Sequence, residues 1–110
     1  MKVAIIGSRK LQIQDFSPYL PEGTTEIVSG GAKGIDTCAA KYAKENGLKL
    51  TEFLPNYELF GRGAPLKRNE QIIDHADVVI AFWDGQSRGT GHVITQCEQK
   101  GKNCEIHIIK

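Results

Sequence analysis

One short stretch of this 110-residue sequence, SGGAKGID at positions 29–36, combines three glycines with a lysine and an aspartate. It follows the apolar run EIVS and precedes a segment with the apolar spacing of a helix. Glycine lets backbone N–H groups approach an anion closely, and a helix N-terminus offers unpaired N–H donors. The pattern is typical of a phosphate cradle, although a plain turn between a strand and a helix uses the same glycines.

The arginines show a second pattern. All four of them lie in, or at the end of, the loops that follow the predicted strands, and nine of the twelve glycines lie on the same edge. The lysines, in contrast, are spread along predicted helices and strand ends. A guanidinium group is planar, always charged and well matched to phosphate or carboxylate oxygens. Arginines that solubilise the surface would be scattered, so this distribution predicts an anion-binding site.

The elements that must position these residues alternate between strands and helices. Strands are predicted at 2–6, 26–29, 48–53, 77–83 and 104–109. Helices are predicted at 12–20, 33–46, 65–75 and 90–100. This alternation indicates an α/β, Rossmann-like three-layer sandwich with a five-stranded parallel sheet. Right-handed crossovers favour strand order 3-2-1-4-5, with ligands binding at the carboxyl ends of the strands near strands 1 and 4.

Composition narrows the function classes. The length suits a single domain, 1–110, and the net charge of +1 provides no field for non-specific nucleic-acid binding. No apolar run reaches the length of a signal peptide or a membrane span, so a cytoplasmic location is expected. The three cysteines and three histidines lack metal-ligand spacing, and no metal site is expected.

The common nucleotide motifs are absent from the sequence. There is no GxxxxGK[ST] loop, and the first predicted strand leads into GSRK rather than GxGxxG. The second strand ends in serine and glycine, where a dinucleotide-binding domain would have an acidic residue. Hydride chemistry with a dinucleotide in its usual pose is therefore disfavoured.

Four motifs, in this order, resemble those of the SLOG superfamily. They are GSR at 7–9, SGGAKGID at 29–36, KRN at 67–69 and FWDGQSRGT at 82–90. Within the superfamily the sequence looks most like the YspA-type, YpsA-related SLOG domain. The resemblance covers essentially the whole chain. It implies a Rossmann-like fold and a pocket at the motif edge for a nucleotide or nucleotide-derived ligand, sometimes a signalling molecule, with no reaction established.

A more distant resemblance offers nucleic acid as an alternative ligand. SGGAKGID is similar to the SGxAxGID motif of the DNA-processing protein A family, which binds single-stranded DNA, and residues 68–73 resemble its RNRII segment. Single-strand binding combines a positive groove with stacking aromatic rings. Tyr57, Phe60 and Trp83 could supply such rings, or could equally anchor a loop or the core.

A third resemblance raises an enzymatic alternative. Lonely Guy-type phosphoribohydrolases, which cleave the N-glycosidic bond of nucleoside monophosphates, carry PGGxGTxxE with a catalytic glutamate. When their GT is aligned on Gly89-Thr90, Val93 takes the place of that glutamate. Cleavage of a glycosidic bond needs a carboxylate near the sugar. Asp36 and Asp84 are the remaining catalytic candidates, and each also has a structural explanation, Asp36 as a first-turn carboxylate and Asp84 as a turn residue.

The predicted ligand site combines four loops. Ser8 and Arg9 would hold one end of the phosphates, and Asp36 or Asp84 would contact a ribose hydroxyl or orient an arginine. The predicted ligand-binding residues are Gly7, Ser8, Arg9, Gly30, Gly31, Lys33, Gly34, Asp36, Arg68, Asn69, Asp84, Ser87, Arg88, Gly89 and Thr90. A small nucleotide-like ligand is the expected partner, with nucleic acid second and a homodimer open. No specific cofactor and no membrane partner are expected.

Overall fold

A computed structural model describes residues 1–109, so Lys110, the last residue of the predicted domain, lies outside it. The strands are β1 (Lys2–Gly7), β2 (Glu26–Ser29), β3 (Lys49–Glu52), β4 (Val78–Trp83) and β5 (Cys104–Ile108). The helices are α1 (Ile35–Glu45), α2 (Tyr57–Phe60), α3 (Ala64–His75) and α4 (Arg88–Lys100). A single 3₁₀ turn, Gly61–Gly63, joins α2 to α3.

The five strands form one all-parallel sheet in the order β3-β2-β1-β4-β5. The predicted α/β Rossmann-like fold and its strand order are therefore confirmed. Ala4, in the middle of the central strand, pairs with Val28 on one side and Val79 on the other. The inner strands are continuous apolar runs because layers of the chain cover both faces of the sheet. Strands β2 and β3 lie on one side of β1, and β4 and β5 lie on its other side, so the strand order reverses between β1 and β4.

Each face of the sheet carries its own buried cluster. On one face, α3 and α4 contribute Ile72, Ile73, Val93 and Ile94 to a cluster that includes Ala4 of β1. On the other face, the apolar residues of α1 pack with alternating residues of β1 and β4. These clusters fix both helix layers relative to the carboxyl edge of the sheet. No helix within residues 1–109 is both long enough and apolar enough to cross a membrane.

The predicted helix at 12–20 is wrong, since the crossover from β1 to β2 contains no helix. Pro18 has no N–H to donate and disfavours helical geometry at the preceding residue. Asp15 Oδ1 also accepts a hydrogen bond from Ser17 N at 2.9 Å, which competes with helical pairing. Phe16 is nevertheless fully buried, with its ring 5.5 Å from that of Phe82. The apolar stripe thus packs on the sheet as predicted, without helical backbone.

The other helices differ from the predictions in detail. The one-turn helix α2 lies in a segment predicted as loop, where Asn56 Oδ1 accepts a hydrogen bond from Leu59 N at 3.1 Å. Its four residues are all exposed, so no apolar periodicity marks it. Helix α4 starts at Arg88, two residues before the predicted start, and α1 starts at Ile35, two residues after it.

Candidate anion-binding cleft

A cleft of about 700 Å³ opens at the carboxyl edge of the sheet, beside the boundary between β1 and β4. Such a volume is ordinary for a small-molecule site. Most of the predicted ligand-binding residues line it. They are Gly7, Ser8, Arg9, Gly30, Asp36, Arg68, Asn69, Asp84, Ser87, Arg88, Gly89 and Thr90. The structure thus brings together residues from all four predicted loops.

Three predicted residues lie outside the lining of the cleft. Gly31 lies beneath Leu54, whose side chain would collide with any Cβ at this position. Gly34 has φ +76°, and a Cβ there would meet the backbone oxygen of Arg9. Lys33 is exposed. Gly34 therefore supports the loop after β1 at the start of α1, while Gly30 and Asp36 of the same motif line the cleft.

All four arginines of the chain line this cleft. Within the described residues 1–109, no carboxylate lies within 4.0 Å of any of them, whereas Lys49, Lys67 and Lys100 each pair with an acidic side chain. Like charges gathered in one concave surface raise the local concentration of counter-ions. The cleft therefore presents a positive field that the protein itself does not neutralise by direct ion pairs.

Arg68 is the most firmly held of these arginines. Its Nη1 donates a hydrogen bond to Gly30 O at 2.7 Å, and its Nε donates to Asn69 Oδ1 at 3.1 Å. Burial lowers the pKa of Arg68 from its usual value, while the nearby charge of Asp36 raises it. An arginine remains charged at any physiological pH. The α3 helix therefore delivers a fixed guanidinium to the end of β2.

Asp36 is buried next to this arginine. Its Oδ2 accepts a hydrogen bond from Ala32 N at 3.2 Å. Burial raises the pKa of Asp36 to about 6, although the Ala32 N–H and the Arg68 charge both act to lower it. A Cβ on Gly30 would lie 2.6 Å from Arg68 Nη1 and 3.0 Å from Asp36 Oδ2. The absence of a side chain at Gly30 therefore lets the Arg68 guanidinium and the Asp36 carboxylate both lie close to its backbone.

Ser8 and Ser87 link the loops after β1 and β4. Their Oγ atoms lie 2.6 Å apart, and Asp84 N donates a hydrogen bond to Ser8 Oγ at 3.3 Å. Asp84 Oδ1 accepts from Ser87 N at 2.8 Å and from Gln86 N at 2.9 Å, and these bonds hold the pKa of Asp84 below its usual value. Asp84 therefore shapes this turn, and one of its oxygens is engaged there.

The N-terminus of α4 opens on the cleft without a side-chain cap. Ser87 occupies the cap position, but its hydroxyl pairs with Ser8 and bonds no N–H of the helix. The first three residues of α4, Arg88, Gly89 and Thr90, line the cleft, so uncapped N–H donors and the positive end of the helix dipole face it.

Other residues of the lining were absent from the predicted site. They include Lys10, Arg62, Leu66, Gln86 and His92. Arg62 belonged to the arginine pattern and could have been included on that ground, but Leu66 and His92 reach the cleft only through the orientation of α3 and α4. Among residues 1–109, no group of three His, Cys, Asp or Glu side chains is arranged to hold a metal ion.

Comparison with known proteins gives two matches. The family model for DNA recombination-mediator protein A matches residues 1–57, which span β1, SGGAKGID, α1 and β3. The chain is also 35% identical over 81 residues to the Gene 61 protein of Mycobacterium phage D29, an alignment that covers 68% of this chain and 65% of that protein. This chain thus spans slightly less than two thirds of that relative. No solved structure matches.

Proposed function

This chain belongs to the DNA recombination-mediator protein A family, and from that premise we propose that its cleft binds the phosphates of a nucleotide ligand. The YspA-type SLOG assignment, with its nucleotide-derived ligands, is part of the same proposal. The observation that carries it is the convergence of all four arginines, without carboxylate partners in the described residues, on one cleft.

The cleft is lined by donors from both sides of the boundary between β1 and β4. Arg68, fixed by Gly30 O, would contact a phosphate from the β2 side, while Arg88 and the uncapped start of α4 would contact it from the β4 side. Helix N-termini and arginines are the usual phosphate ligands of proteins. Because Ser8 Oγ and Ser87 Oγ share one hydrogen bond, one of the two hydroxyls keeps an O–H that would donate to the phosphate.

Single-stranded DNA is a second candidate ligand, which a separate observation favours. The segment 54–60 leads from β3 to the wall of the cleft and exposes Tyr57 by 60% and Phe60 by 39%. Tyr57 lies close enough to Arg68 to influence its pKa. Aromatic rings beside cations are what binding of unpaired bases requires. The description of the matching family as DNA recombination-mediator protein A agrees with this candidate.

The phosphoribohydrolase alternative receives less support from the geometry. Val93 lines the cleft at the position aligned with the catalytic glutamate, and Asp84 is engaged in its turn. Asp36 is the remaining carboxylate of the lining. We therefore propose binding as the function and assign no reaction to the cleft.

Thermal denaturation with a panel of ligands tests the proposal. The panel contains nucleoside mono- and diphosphates, NAD, ADP-ribose, the matching nucleosides, and short single-stranded DNA. A ligand that binds only the native state raises the melting temperature. We expect a shift with phosphate-bearing ligands and none with nucleosides. Base release from nucleoside monophosphates, lost in Asp36→Asn, would instead establish the hydrolase.

Two substitutions localise any binding. Arg88→Ala removes an exposed cleft cation, and Lys44→Ala removes an exposed cation of α1 that is absent from the lining. Only Arg88→Ala is expected to weaken binding. If single-stranded DNA alone shifts the melting temperature, with affinity falling steeply as salt is raised, the DNA candidate replaces the small nucleotide. Equal losses in both variants would contradict the cleft as the site.

A further inference from the structure

The two edge strands of the sheet differ in their exposed side chains. The exposed residues of β3 are charged, Lys49 and Glu52. On β5, Glu105 is exposed on one face of the sheet, whereas Ile106 and Ile108, which are 44% and 51% exposed, lie together on the other face. Charged residues usually protect an edge strand against pairing with another chain, and exposed isoleucines do not. The edge of β5 is therefore the less protected one.

The backbone of β5 has donors and acceptors directed away from β4. Val79 N donates to Asn103 O, and Ile109 N donates to Trp83 O, so the odd-numbered residues turn their peptide groups toward β4. Peptide groups alternate along a strand. The N–H and C=O groups of Cys104, Ile106 and Ile108 thus point to the other edge, which no strand within residues 1–109 covers.

We propose that this edge of β5 pairs antiparallel with β5 of a second copy of the chain, with Ile106 on the two-fold axis. In this register Ile106 faces Ile106 of the other copy, and Cys104 faces Ile108. All three of these residues have outward peptide groups, so each pair is a hydrogen-bonded pair of an antiparallel ladder. The pairing is self-complementary, as a two-fold interface requires.

Side-chain charge selects this register over its neighbours. Glu105 Oε2 lies 3.7 Å from His107 Nε2 of its own chain. With Ile106 on the axis, this Glu105 also faces His107 of the other copy, at the closer, non-hydrogen-bonded spacing. A shift of the axis to Glu105 would place two carboxylates opposite each other, and a shift to His107 would place two histidines opposite each other. On the other face of the sheet, Ile106 and Ile108 of one copy would be covered by the same residues of the other copy. Two clefts would then open at opposite ends of a ten-stranded sheet.

The mass of the protein in solution tests this pairing. We expect sedimentation at micromolar concentration to give twice the chain mass of 12.1 kDa. Ile106→Lys places two ammonium groups beside the axis and is expected to weaken the dimer at least tenfold. Leu59→Lys, at a residue exposed on α2, is the matched control and should leave the dimer intact. A protein that stays monomeric, or a dimer that Ile106→Lys leaves unchanged, would overturn the proposal.

A cross-link provides a second test that does not depend on the folding of Ile106→Lys. Paired Cα atoms at a hydrogen-bonded site are about 5.5 Å apart, within the span of a disulfide. Under oxidised glutathione, two Ile106→Cys thiols would lose two protons and two electrons, which reduce the glutathione disulfide to two thiols. We expect a covalent dimer of Ile106→Cys but not of the native protein, in which Cys104 faces Ile108. Equal cross-linking of both proteins, or of neither, would contradict the register.

Discussion

Asp36 and Glu26 are both buried carboxylates, yet they lie at opposite ends of the strands and in opposite surroundings. Glu26, at the amino end of β2 and 5% exposed, lies 2.6 Å from His75 Nε2, accepts a hydrogen bond from Thr51 Oγ1 at 3.0 Å and pairs with Lys49 Nζ at 3.6 Å. Asp36, 6% exposed at the carboxyl end, accepts a hydrogen bond from Ala32 N and faces a cleft.

The pKa values of the two groups move in opposite directions. Burial acts to raise the pKa of Glu26, but hydrogen bonds from His75 and Thr51 and the Lys49 charge together lower it. At Asp36 burial prevails and raises the pKa to about 6. Glu26 thus belongs to a closed cluster that stabilises the fold. Asp36 keeps an uncompensated cost of burial, which is a common property of groups at functional sites.

The largest expected effect is on stability, from Glu26→Gln. Lys49 and His75, the partners of Glu26, have side chains that are 71% and 31% exposed, so their charges remain solvated without it. The cost is that of weakening the hydrogen bonds to a buried carboxylate, about 3 kcal/mol. We expect urea denaturation at pH 7 to show a loss of this size, with ligand binding unchanged. The comparison between the two carboxylates fails if the loss stays below about 1 kcal/mol, the usual range of an exposed pair.

Asp36 and Glu26 are also expected to differ in how they make the free energy of unfolding depend on pH. Because Asp36 holds its proton more tightly in the folded protein than at its ordinary pKa of 3.8, its contribution lowers the free energy of unfolding as pH rises from about 3 to about 7, by about 3 kcal/mol in total. Glu26 has the opposite sign, since its stabilisation is lost as pH falls below its ordinary pKa. In urea titrations across this pH range, we expect the free energy of unfolding of Asp36→Asn to rise relative to that of the native protein as pH increases. Parallel pH curves for the two proteins would refute the raised pKa of Asp36.

A smaller effect is expected from the glycine that supports the cleft loop. Gly34→Ala puts a Cβ against the backbone of Arg9 at a positive φ, and we expect a loss of about 2 kcal/mol. Gly47 has a similar φ of +67° but open space around its Cα, so Gly47→Ala is the matched control with about 1 kcal/mol lost. Equal losses in thermal denaturation would show that the contact with Arg9 contributes nothing.

The smallest expected effect is that of Asp36→Asn on ligand affinity. Asp36 lies across Gly30 from Arg68, and its charge acts on the pKa of the guanidinium. We propose that it also helps to orient the guanidinium. We expect calorimetry at pH 7.5 to show binding of a nucleoside diphosphate weakened about tenfold, equivalent to about 1.4 kcal/mol. Glu26→Gln is the control and should bind as the native protein does. An unchanged affinity in Asp36→Asn would leave Asp36 with no role in orienting Arg68.

Much of the fold could be predicted from local patterns. The β-branched runs of β1, β2 and β4 and the apolar stripes of α1 and α4 mark elements that the structure contains, and handedness rules then suffice for the strand order. The crossover at 8–25 could not be predicted in this way. Phe16 and Tyr19 have helical spacing, but their contacts with Phe82 keep an irregular backbone packed on the sheet.

Part of the candidate site could be predicted, because the carboxyl ends of all the strands in a parallel sheet lie at one edge. This rule collects Arg9, Gly30, Arg68 and Arg88 without further information. The rule cannot tell which side of a loop faces the cleft. The predicted site therefore includes Lys33, which is exposed to solvent and lies outside the lining of the cleft. The proximity of Asp36 to Arg68 depends on how α3 packs against the end of β2, a tertiary contact between residues far apart in the sequence.

The most direct test of the account compares each nucleoside 5′-diphosphate with its own nucleoside, in the native protein and in Arg68→Ala. Calorimetric titration at fixed salt gives the gain in affinity that the phosphates provide. For at least one base, this gain should be tenfold or more in the native protein and less than about threefold in Arg68→Ala, since the phosphates would have lost their fixed partner. A phosphate gain of the same size in both proteins, or no gain with any base, would contradict the claim that the arginines of this cleft bind the phosphates of the ligand.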